Sequence, residues 1–364
     1  MSSPKRQVAA SAKRVIARTC PRRCIGVALC LSICSIILAA CASGNVSRSA
    51  RVSGASRAGT IRVMVYPKSP VSFLSYIARD QGFFARNHLH VSLVTLGTPT
   101  LGVSAVEGGS LDVVEADPIT MYPYITKGLQ FQLIAGASRQ LFDLVVAKTV
   151  PHIGAYPASI RVLKGKSVAV TGFNTASSIL LDLILADAHV SPSSVNIVNA
   201  GGNPGELSLL ESGRVQAAIG NPSVTGIAER TVGAYVLCNV EAGTCGPRQL
   251  RGTLEYGEWV LSSFRQSHPR AVTALRRSWS EAYAWMSNPA NGPIVQRDLA
   301  ADVALPYPIA TAGFVGFLKT VEHLVVPYYN VMSLRTYDRI ALQHHIISKS
   351  LNVGAIMAKG TPTS

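Results

Sequence analysis

The sequence predicts an α/β fold with two lobes, two crossings of the chain between them, and a helical C-terminal tail. Three observations lead to this prediction. Short apolar segments alternate with helical patterns from residue 59 onward, which is typical of largely parallel sheets. The alternation breaks at residues 151–157 and then starts again. A later extended segment, at 254–261, is followed mainly by helical patterns, so we expect the chain to return to the first lobe before it ends.

The first alternating unit, residues 59–150, is expected to form the first part of lobe 1. Its apolar segments are rich in Val, Leu and Ile, and polar or Pro-containing loops separate them. The expected strands are 61–65, 91–95, 111–114, 131–135 and 144–147, and the expected helices are 72–81, 100–107 and 118–127.

The second unit, residues 151–252, is expected to form lobe 2, and residues 253–364 to complete lobe 1. The crossings would lie near 148–155 and 252–259. The expected strands of lobe 2 are 166–170, 195–198, 217–219 and 234–240, its helices 175–188, 206–211 and 223–230, and the helices of the tail 269–286, 291–299, 311–325 and 337–351. Two lobes on two crossings enclose a cleft, and such clefts bind small molecules.

The first 40 residues have the pattern of an export signal. Seven basic residues and no acid precede position 24, and residues 25–40 carry no charge. An apolar run of about 16 residues is shorter than the roughly 20 that span a bilayer. We therefore expect residues 1–40 to be a signal peptide, with a retained N-terminal membrane helix as the alternative.

The end of this leader, Leu38-Ala39-Ala40-Cys41, resembles the lipobox of bacterial lipoproteins, whose cysteine thiol receives a diacylglycerol. The resemblance implies lipidation of Cys41. Residues 41–58 are mostly small and polar, which predicts a flexible tether. The expected location is therefore outside the cytoplasm, with the chain anchored by lipid to the outer face of the cytoplasmic membrane.

Composition excludes several classes of function. The chain of 364 residues has a net charge of +15, but seven of its 34 basic residues lie in the leader. The rest of the chain has 27 basic and 19 acidic residues, and so a net charge of +8. No Lys/Arg run is interleaved with aromatics, so no nucleic-acid partner is expected.

Outside the leader and Cys41, the only cysteines are Cys238 and Cys245. An isolated pair in an oxidising compartment predicts a disulfide, with two unpaired thiols as the alternative.

Enzyme motifs are absent from the sequence. It contains no Gly-x-Ser-x-Gly elbow, no complete Gly-rich phosphate loop and no Cys placed near a His. His88 and His90 lie at a strand start, and His344 and His345 are helix neighbours that point in different directions. We therefore expect no metal, no cofactor and no enzymatic activity.

Four segments resemble the periplasmic solute-binding proteins of ABC importers, in the group for nitrate, sulfonates, taurine and thiamine-pyrimidine precursors. They are residues 77–91 with Gly82-Phe83-Phe84, residues 107–113 with a Gly-x-x-Asp turn, LKGKSVAV at 163–170, and GRVQAAIGNP at 213–222, where Gln216 replaces the usual Asp. The likeness runs from about residue 59 to 285. It implies a type II periplasmic-binding-protein fold.

The resemblance also implies a function and partners. A monomeric lipoprotein would capture a small organic solute and deliver it to an ABC permease and its ATPase. One alternative is a ligand-sensing protein coupled to a sensor or an envelope complex. Another is an enzyme of the thiamine-pyrimidine synthase kind, but those relatives carry a Cys-rich motif and an iron-binding set, and they lack an export leader.

Candidate ligand-binding residues follow from the rule that open α/β sheets bind ligands beyond the carboxyl ends of their strands. Some of these residues also have a purely structural interpretation: Thr175 or Asn174 as a helix cap, Asn221 as a turn residue and Trp259 as a core residue. The candidates are Tyr66, Ser69, Asp117, Gly136 and Ser138 in lobe 1; Gly172, Phe173, Asn174, Thr175 and Asn221 in lobe 2; and Glu258 and Trp259 on the return crossing.

The charge of the solute stays open at this point. Asp117 and Glu115 in the cleft would favour an amine or an aminopyrimidine, whereas Lys68 and Arg139 would favour a sulfonate, carboxylate or nitrate.

Overall fold

The computed structural model describes residues 59–302 and 323–363. The predicted signal peptide, Cys41 and the tether lie outside the described residues, as does most of the helix expected at 311–325. The described residues all belong to one compact unit of the chain. None of their helices combines the length and the apolarity that crossing a membrane requires.

The described strands, numbered in chain order, fall into two groups. They are β1 (Thr60–Val65), β2 (His90–Thr95), β3 (Val114–Ala116), β4 (Phe131–Gly136), β5 (Asp143–Val146), β6 (Ser167–Val170), β7 (Asn196–Asn199), β8 (Ala217–Gly220), β9 (Tyr235–Asn239) and β10 (Gly257–Leu261).

The described α-helices are numbered in the same way. They are α1 (Phe73–Asp80), α2 (Phe83–Arg86), α3 (Pro99–Glu107), α4 (Pro118–Thr126), α5 (Ala176–Asp187), α6 (Asn203–Glu211), α7 (Pro222–Val232), α8 (Ser262–Ser267), α9 (Pro269–Met286), α10 (Gly292–Asp302), α11 (Val331–Gln343) and α12 (Val353–Ile356). Short 3₁₀ helices occur at Pro70–Ser72, Ala158–Leu163, Pro192–Ser194, Arg248–Leu250 and Pro289–Asn291.

The sheet of lobe 1 contains β1 to β4 and β10. β1 pairs with β2 in parallel, and β10 lies between β3 and β4, antiparallel to both. A parallel bridge between Val63 and Val113 joins β1 to the segment that leads into β3. The resulting order is β2-β1-β3-β10-β4, so the return strand lies inside the sheet rather than at its edge.

The sheet of lobe 2 has the order β7-β6-β8-β5-β9. β6 is parallel to β7 and β8, whereas β5 is antiparallel to β8 and β9. These two sheets, with helices between most successive strands and after β10, confirm the predicted two-lobed α/β class with a helical C-terminal region.

β5 corrects one boundary. The sequence pattern predicts this strand in lobe 1, which it extends to residue 150, with the first crossing at 148–155. In the structure Asp143 faces Gly220 and Val146 faces Ala217, so the chain changes sheet earlier, within residues 137–142. The sequence marks 144–147 as a buried strand but carries no signal for which sheet it joins, because sheet pairing is set by distant residues.

The return crossing ends earlier than expected as well. β10 already begins at Gly257, and Glu258 and Trp259 are therefore sheet residues. The tail then packs on lobe 1: α9 lies against α1 and α2, and α11 lies against α4.

α9 shows how the tail is held. Its start at Pro269 and its end at Met286 coincide with the predicted bounds. The buried residues Val272, Leu275 and Trp279 recur every three or four positions, which places them on one face of the helix. The indole Nε1 of Trp279 donates to Ser75 Oγ on α1 at 3.0 Å, so this face is attached to lobe 1 by packing and by a hydrogen bond.

Candidate functional site

A narrow cavity of about 20 Å³ lies where the two lobes and the two crossings meet. Its walls come from the segments that follow β1, β2, β6, β7 and β8, and from both crossings. The lining residues are Tyr66, Ser69, Val71, Gly97, Pro99, Leu141, Phe142, Thr171, Asn203, Asn221 and Tyr256.

Three aromatic side chains from three separate segments form one wall. The rings of Tyr66 and Tyr256 meet edge to face with centroids 5.7 Å apart, and Phe142 lies 6.3 Å from Tyr256. The Tyr66 hydroxyl donates to the Glu115 carbonyl at 2.7 Å, and its backbone N–H donates to Ser72 Oγ at 2.8 Å. These bonds fix the Tyr66 ring, and the wall offers a rigid aromatic surface to a bound molecule.

The Asn221 side chain of lobe 2 both caps a helix and forms a hydrogen bond to lobe 1. Its Oδ1 accepts from the backbone N–H groups of Ser223 and Val224, at 3.0 and 3.3 Å, and so caps α7. Its Nδ2 donates to Ser69 Oγ on lobe 1 at 3.2 Å. This buried bond links the two lobes across the cavity.

Beside the Asn221–Ser69 bond, glycines allow the backbones of the two lobes to approach closely. A Cβ built on Gly97 of lobe 1 would lie 2.6 Å from the carbonyl oxygen of Gly201 of lobe 2, and one built on Gly202 would lie 3.1 Å from the Gly97 oxygen. Real Cβ atoms essentially never approach a carbonyl oxygen to 2.6 Å, so this "glycine contact" requires residues without side chains. The lobes are therefore closed over the cavity.

Within residues 59–302 and 323–363, no Asp, Glu, Lys, Arg or His side chain lines the cavity. Buried carboxylates of lobe 1, among them Glu115, Glu258 and Asp117, lie behind the aromatic wall instead. Glu115 and Glu258 face one another across the β3–β10 pair and are almost completely buried. Burial raises the pKa of both, and the charge of Glu115 raises the pKa of Glu258 further, whereas a hydrogen bond from Ser72 lowers that of Glu115. The pair is thus biased toward its protonated, uncharged form.

Asp117 is another carboxylate behind the wall. It is the N-cap of α4, where Oδ1 accepts from the Thr120 N–H and Oδ2 from the Thr120 hydroxyl, both at 2.7 Å. Burial raises the pKa of Asp117, and these hydrogen bonds lower it. Asp117 is fully buried and does not line the cavity.

Comparison with known proteins places this geometry in a family. Residues 69–291, more than half of the chain, match the family described as "NMT1/THI5 like". The chain belongs to the NMT1/THI5-like family. A curated relative, the "Putative thiamine biosynthesis protein" of Haemophilus influenzae, is 29% identical over 146 residues, which cover 40% of this chain and 44% of the relative. The chain therefore spans less than half of the length of that relative.

Solved structures show the fold of this NMT1/THI5-like chain. A protein from Bordetella bronchiseptica RB50 superposes with a TM-score of 0.70 at 18% identity, covering 83% of this chain and 95% of its own. The alkanesulfonate-binding protein SsuA from Xanthomonas axonopodis pv. citri, bound to MOPS, gives 0.65 at 15% identity, with 84% and 99% covered. The periplasmic nitrate-binding protein NrtA from Synechocystis PCC 6803 gives 0.65 at 14% identity, with 82% and 84% covered. The chain has the periplasmic-binding-protein fold, as the sequence predicts.

Several predicted site residues lie away from the cavity of this family member. Gly136 is packed against the tail, because a Cβ there would lie 2.0 Å from the Tyr328 oxygen. Ser138 is buried on the first crossing. Trp259 is a core residue whose Nε1 donates to the Ala116 carbonyl at 2.9 Å, and Glu258 is buried beside it.

The loop of lobe 2 after β6 contributes through Thr171 rather than through the predicted residues. Phe173 is 55% exposed, Asn174 is exposed with φ of 58°, and Thr175 forms the capping box of α5 with Ser178. Gly172 lies next to the lobe contact, since a Cβ on it would be 3.4 Å from Thr98 of lobe 1.

Neither of the candidate cations lines the cavity. Lys68 is exposed, with φ of 53°. The Nη2 of Arg139 donates to the Tyr328 hydroxyl at 2.6 Å. Of the predicted site residues, only Tyr66, Ser69 and Asn221 lie on the cavity wall.

The prediction missed Tyr256 and Phe142, the two other aromatics of the wall. Both lie on the true crossings, at 137–142 and just before β10. Correct placement of the crossings would have identified them, because residues that pass between two lobes border the cleft. Cys238 and Cys245 are joined as a disulfide with Cα atoms 5.4 Å apart, and this pair lies outside the cavity lining.

Proposed function

We propose that this protein is an extracytoplasmic solute-binding lipoprotein that captures a small uncharged organic solute between its lobes and delivers it to an ABC importer. The observation that carries the proposal is the closed interlobe cavity, walled by aromatic rings and by amide and hydroxyl groups, with no ionised side chain among the described residues that line it. The cavity of the closed form, about 20 Å³, is smaller than the roughly 300–1,000 Å³ of small-molecule sites, so the lobes must part to admit a solute.

Helix N-termini give a second argument for an uncharged solute. Free N–H groups at such ends bind anions. Here Asn221 occupies those of Ser223 and Val224 on α7, and the Thr175–Ser178 capping box occupies those of α5. At these two helices an anion therefore gains little. α6, which begins at the lining residue Asn203, has no side-chain cap.

A binding role rather than a catalytic one agrees with the same lining. In the part of the chain that the structure describes, it holds no thiol, imidazole or carboxylate that would act as nucleophile or base. The mechanism is lobe closure: the solute rests on the aromatic wall of lobe 1, and lobe 2 closes through the Asn221–Ser69 bond and the glycine contact. The closed form then docks on the permease, while Cys41 keeps the protein at the membrane.

The test is a binding screen of the purified protein against uncharged heteroaromatics, including aminopyrimidines, and against alkanesulfonates and nitrate. An uncharged ring compound at a hundred times its Kd raises the unfolding free energy by about 2.7 kcal/mol. Stabilisation by nitrate and alkanesulfonates alone contradicts the proposed solute class.

A matched pair of variants checks the site itself. Phe142→Leu keeps the bulk of an apolar side chain but removes a ring from the wall, and we expect Kd to rise about two- to twelvefold. Phe173→Leu makes the same change at an exposed position away from the cavity and leaves Kd unchanged. Equal Kd values for both variants, measured by calorimetric titration, place the solute elsewhere.

A further inference from the structure

One surface of lobe 1 carries unpaired positive charge. Arg86 lies at the end of α2, and Arg270 and Arg277 lie on α9, seven residues apart and hence on one side of that helix. All three are exposed and line one open groove with an empty volume of about 760 Å³, together with His88. We call this surface the basic face.

The arginines of the basic face differ from others in the same lobe. Arg62, Arg79 and Arg297 form ion pairs with aspartates. No described residue forms an ion pair with an arginine of the basic face; the guanidinium of Arg86 lies over the Phe83 ring, 4.2 Å from its centroid.

Two acids border the basic face, and both already have partners. Glu281 accepts from Asn87 Nδ2 at 2.8 Å, and Asp112 forms the ion pair with Arg62 at 2.7 Å. The bond from the neutral Asn87 leaves Glu281 charged, so among the described residues three arginines stand against one uncompensated acid, and the face keeps a net positive charge.

An apolar groove adjoins the face at the point where the described chain begins. Its empty volume is about 940 Å³, and Gly59, Ile61, Leu89 and Phe264 line it together with Arg270. The tether, residues 41–58, thus joins the body at this groove. The tether contains Arg48, Arg51 and Arg57 and no acid, so like charge disfavours the tether itself as the occupant beside Arg270.

We propose that the basic face is the membrane-facing surface of the protein and binds the headgroups of anionic phospholipids. The proposal rests on the membrane attachment given under the proposed function. Gly59, the first described residue, lies 18 positions after Cys41, and 18 residues span at most about 60 Å, so a lipid on Cys41 would keep the face near the bilayer. Each arginine near an anionic leaflet strengthens binding by about fivefold. Docking through lobe 1 leaves lobe 2 free to open and close.

The experiment measures hydrogen–deuterium exchange of the full chain on vesicles of 30% phosphatidylglycerol in phosphatidylcholine, and on phosphatidylcholine alone. We expect residues 83–90 and 264–277 to be protected on the anionic vesicles only, and protection to be lost in 1 M NaCl, where the screening length falls to about 3 Å.

The variant Arg86→Gln/Arg270→Gln/Arg277→Gln should weaken this docking by about a hundredfold, from about fivefold per arginine. The matched control, Arg161→Gln/Lys164→Gln/Arg214→Gln, removes the same charge from exposed positions of lobe 2 and keeps the protection. Solute affinity stays unchanged in both variants, so failure of this proposal is distinguishable from failure of the proposed function.

Several results overturn the proposal. One is equal protection on neutral and anionic vesicles. Another is protection without any vesicles, which would place part of the chain in the groove. A third is failure of the protein to sediment with anionic vesicles. If the triple variant does not fold, the salt series on the unmodified protein decides, because protection that persists in 1 M NaCl contradicts an electrostatic face.

Discussion

Gly97→Ala tests whether lobe closure creates the binding site. Gly97 has no positive φ, so alanine is acceptable to the local backbone. The added Cβ, however, would lie 2.6 Å from the Gly201 oxygen of the other lobe, whereas ordinary contacts begin near 3.4 Å. The lobes of the variant must therefore stay apart by most of an ångström at this point.

The added Cβ raises the free energy of the closed form. Overpacking of a tight contact costs about 1–3 kcal/mol, which corresponds to a rise in Kd of about 5- to 150-fold. The unliganded protein avoids the clash by opening, and replacing glycine also lowers the entropy of the unfolded chain. We therefore expect its melting temperature to be unchanged or slightly higher.

The assay pairs calorimetric titration of the tightest compound of the screen with thermal unfolding of the unliganded protein. Gly226→Ala is the control, because a Cβ there on α7 would lie 3.9 Å from its nearest neighbour, the Arg230 side chain. A Kd within twofold of the unmodified protein refutes the reasoning. So does a fall in unliganded stability as large as the loss of affinity, since the glycine contact would then belong to the fold rather than to closure.

Two further predictions concern buried carboxylates. Burial raises the pKa of Asp143 to about 7, and hydrogen bonds from Thr225 and Asn239 act in the opposite direction. The folded form therefore holds a proton that the unfolded form releases near pH 4. The stability that this proton contributes at low pH is lost as the pH rises from about 4 to 7. Asp143→Asn should remove up to about 4 kcal/mol of this fall, measured by urea unfolding across pH 4–8, and parallel curves would contradict it. Asp117→Ala removes the cap of α4 and should lower the unfolding free energy by about 0.5–2 kcal/mol, while the affinity for the solute stays unchanged. Weakened binding at full stability would instead place Asp117 in the site.

Local patterns carried much of the fold prediction. The apolar spacing of α9 and the Pro at its start are properties of adjacent residues, and its predicted bounds agree with the structure. The rule that ligands bind beyond strand ends located Tyr66, Ser69 and Asn221, and all three line the cavity. The role of these three residues in ligand binding stays a prediction. The bounds of α9 could be predicted because the information lies within a few residues of the feature.

Charge at the site was beyond such reasoning. Asp117, Glu115, Lys68 and Arg139 all follow strands or loops that lead toward the cleft, yet none lines it. Whether a side chain faces a cavity or the core beside it depends on rotation about a few bonds and on available partners, such as Thr120 for Asp117. Neither is visible in the order of residues.

The sequence by itself determined the fold class, the family, most element positions and the cysteine pair, since these follow from periodicity, turn residues and motifs. Only the tertiary structure decided which sheet receives β5, which of Tyr256 and Trp259 faces the cavity, and that the lobes meet at glycines. Strand pairing joins residues far apart in the chain, as Asp143 and Gly220 are, and a shift of one residue in a strand reverses every side chain on it. A site built between two lobes is therefore defined by distances that no local pattern records.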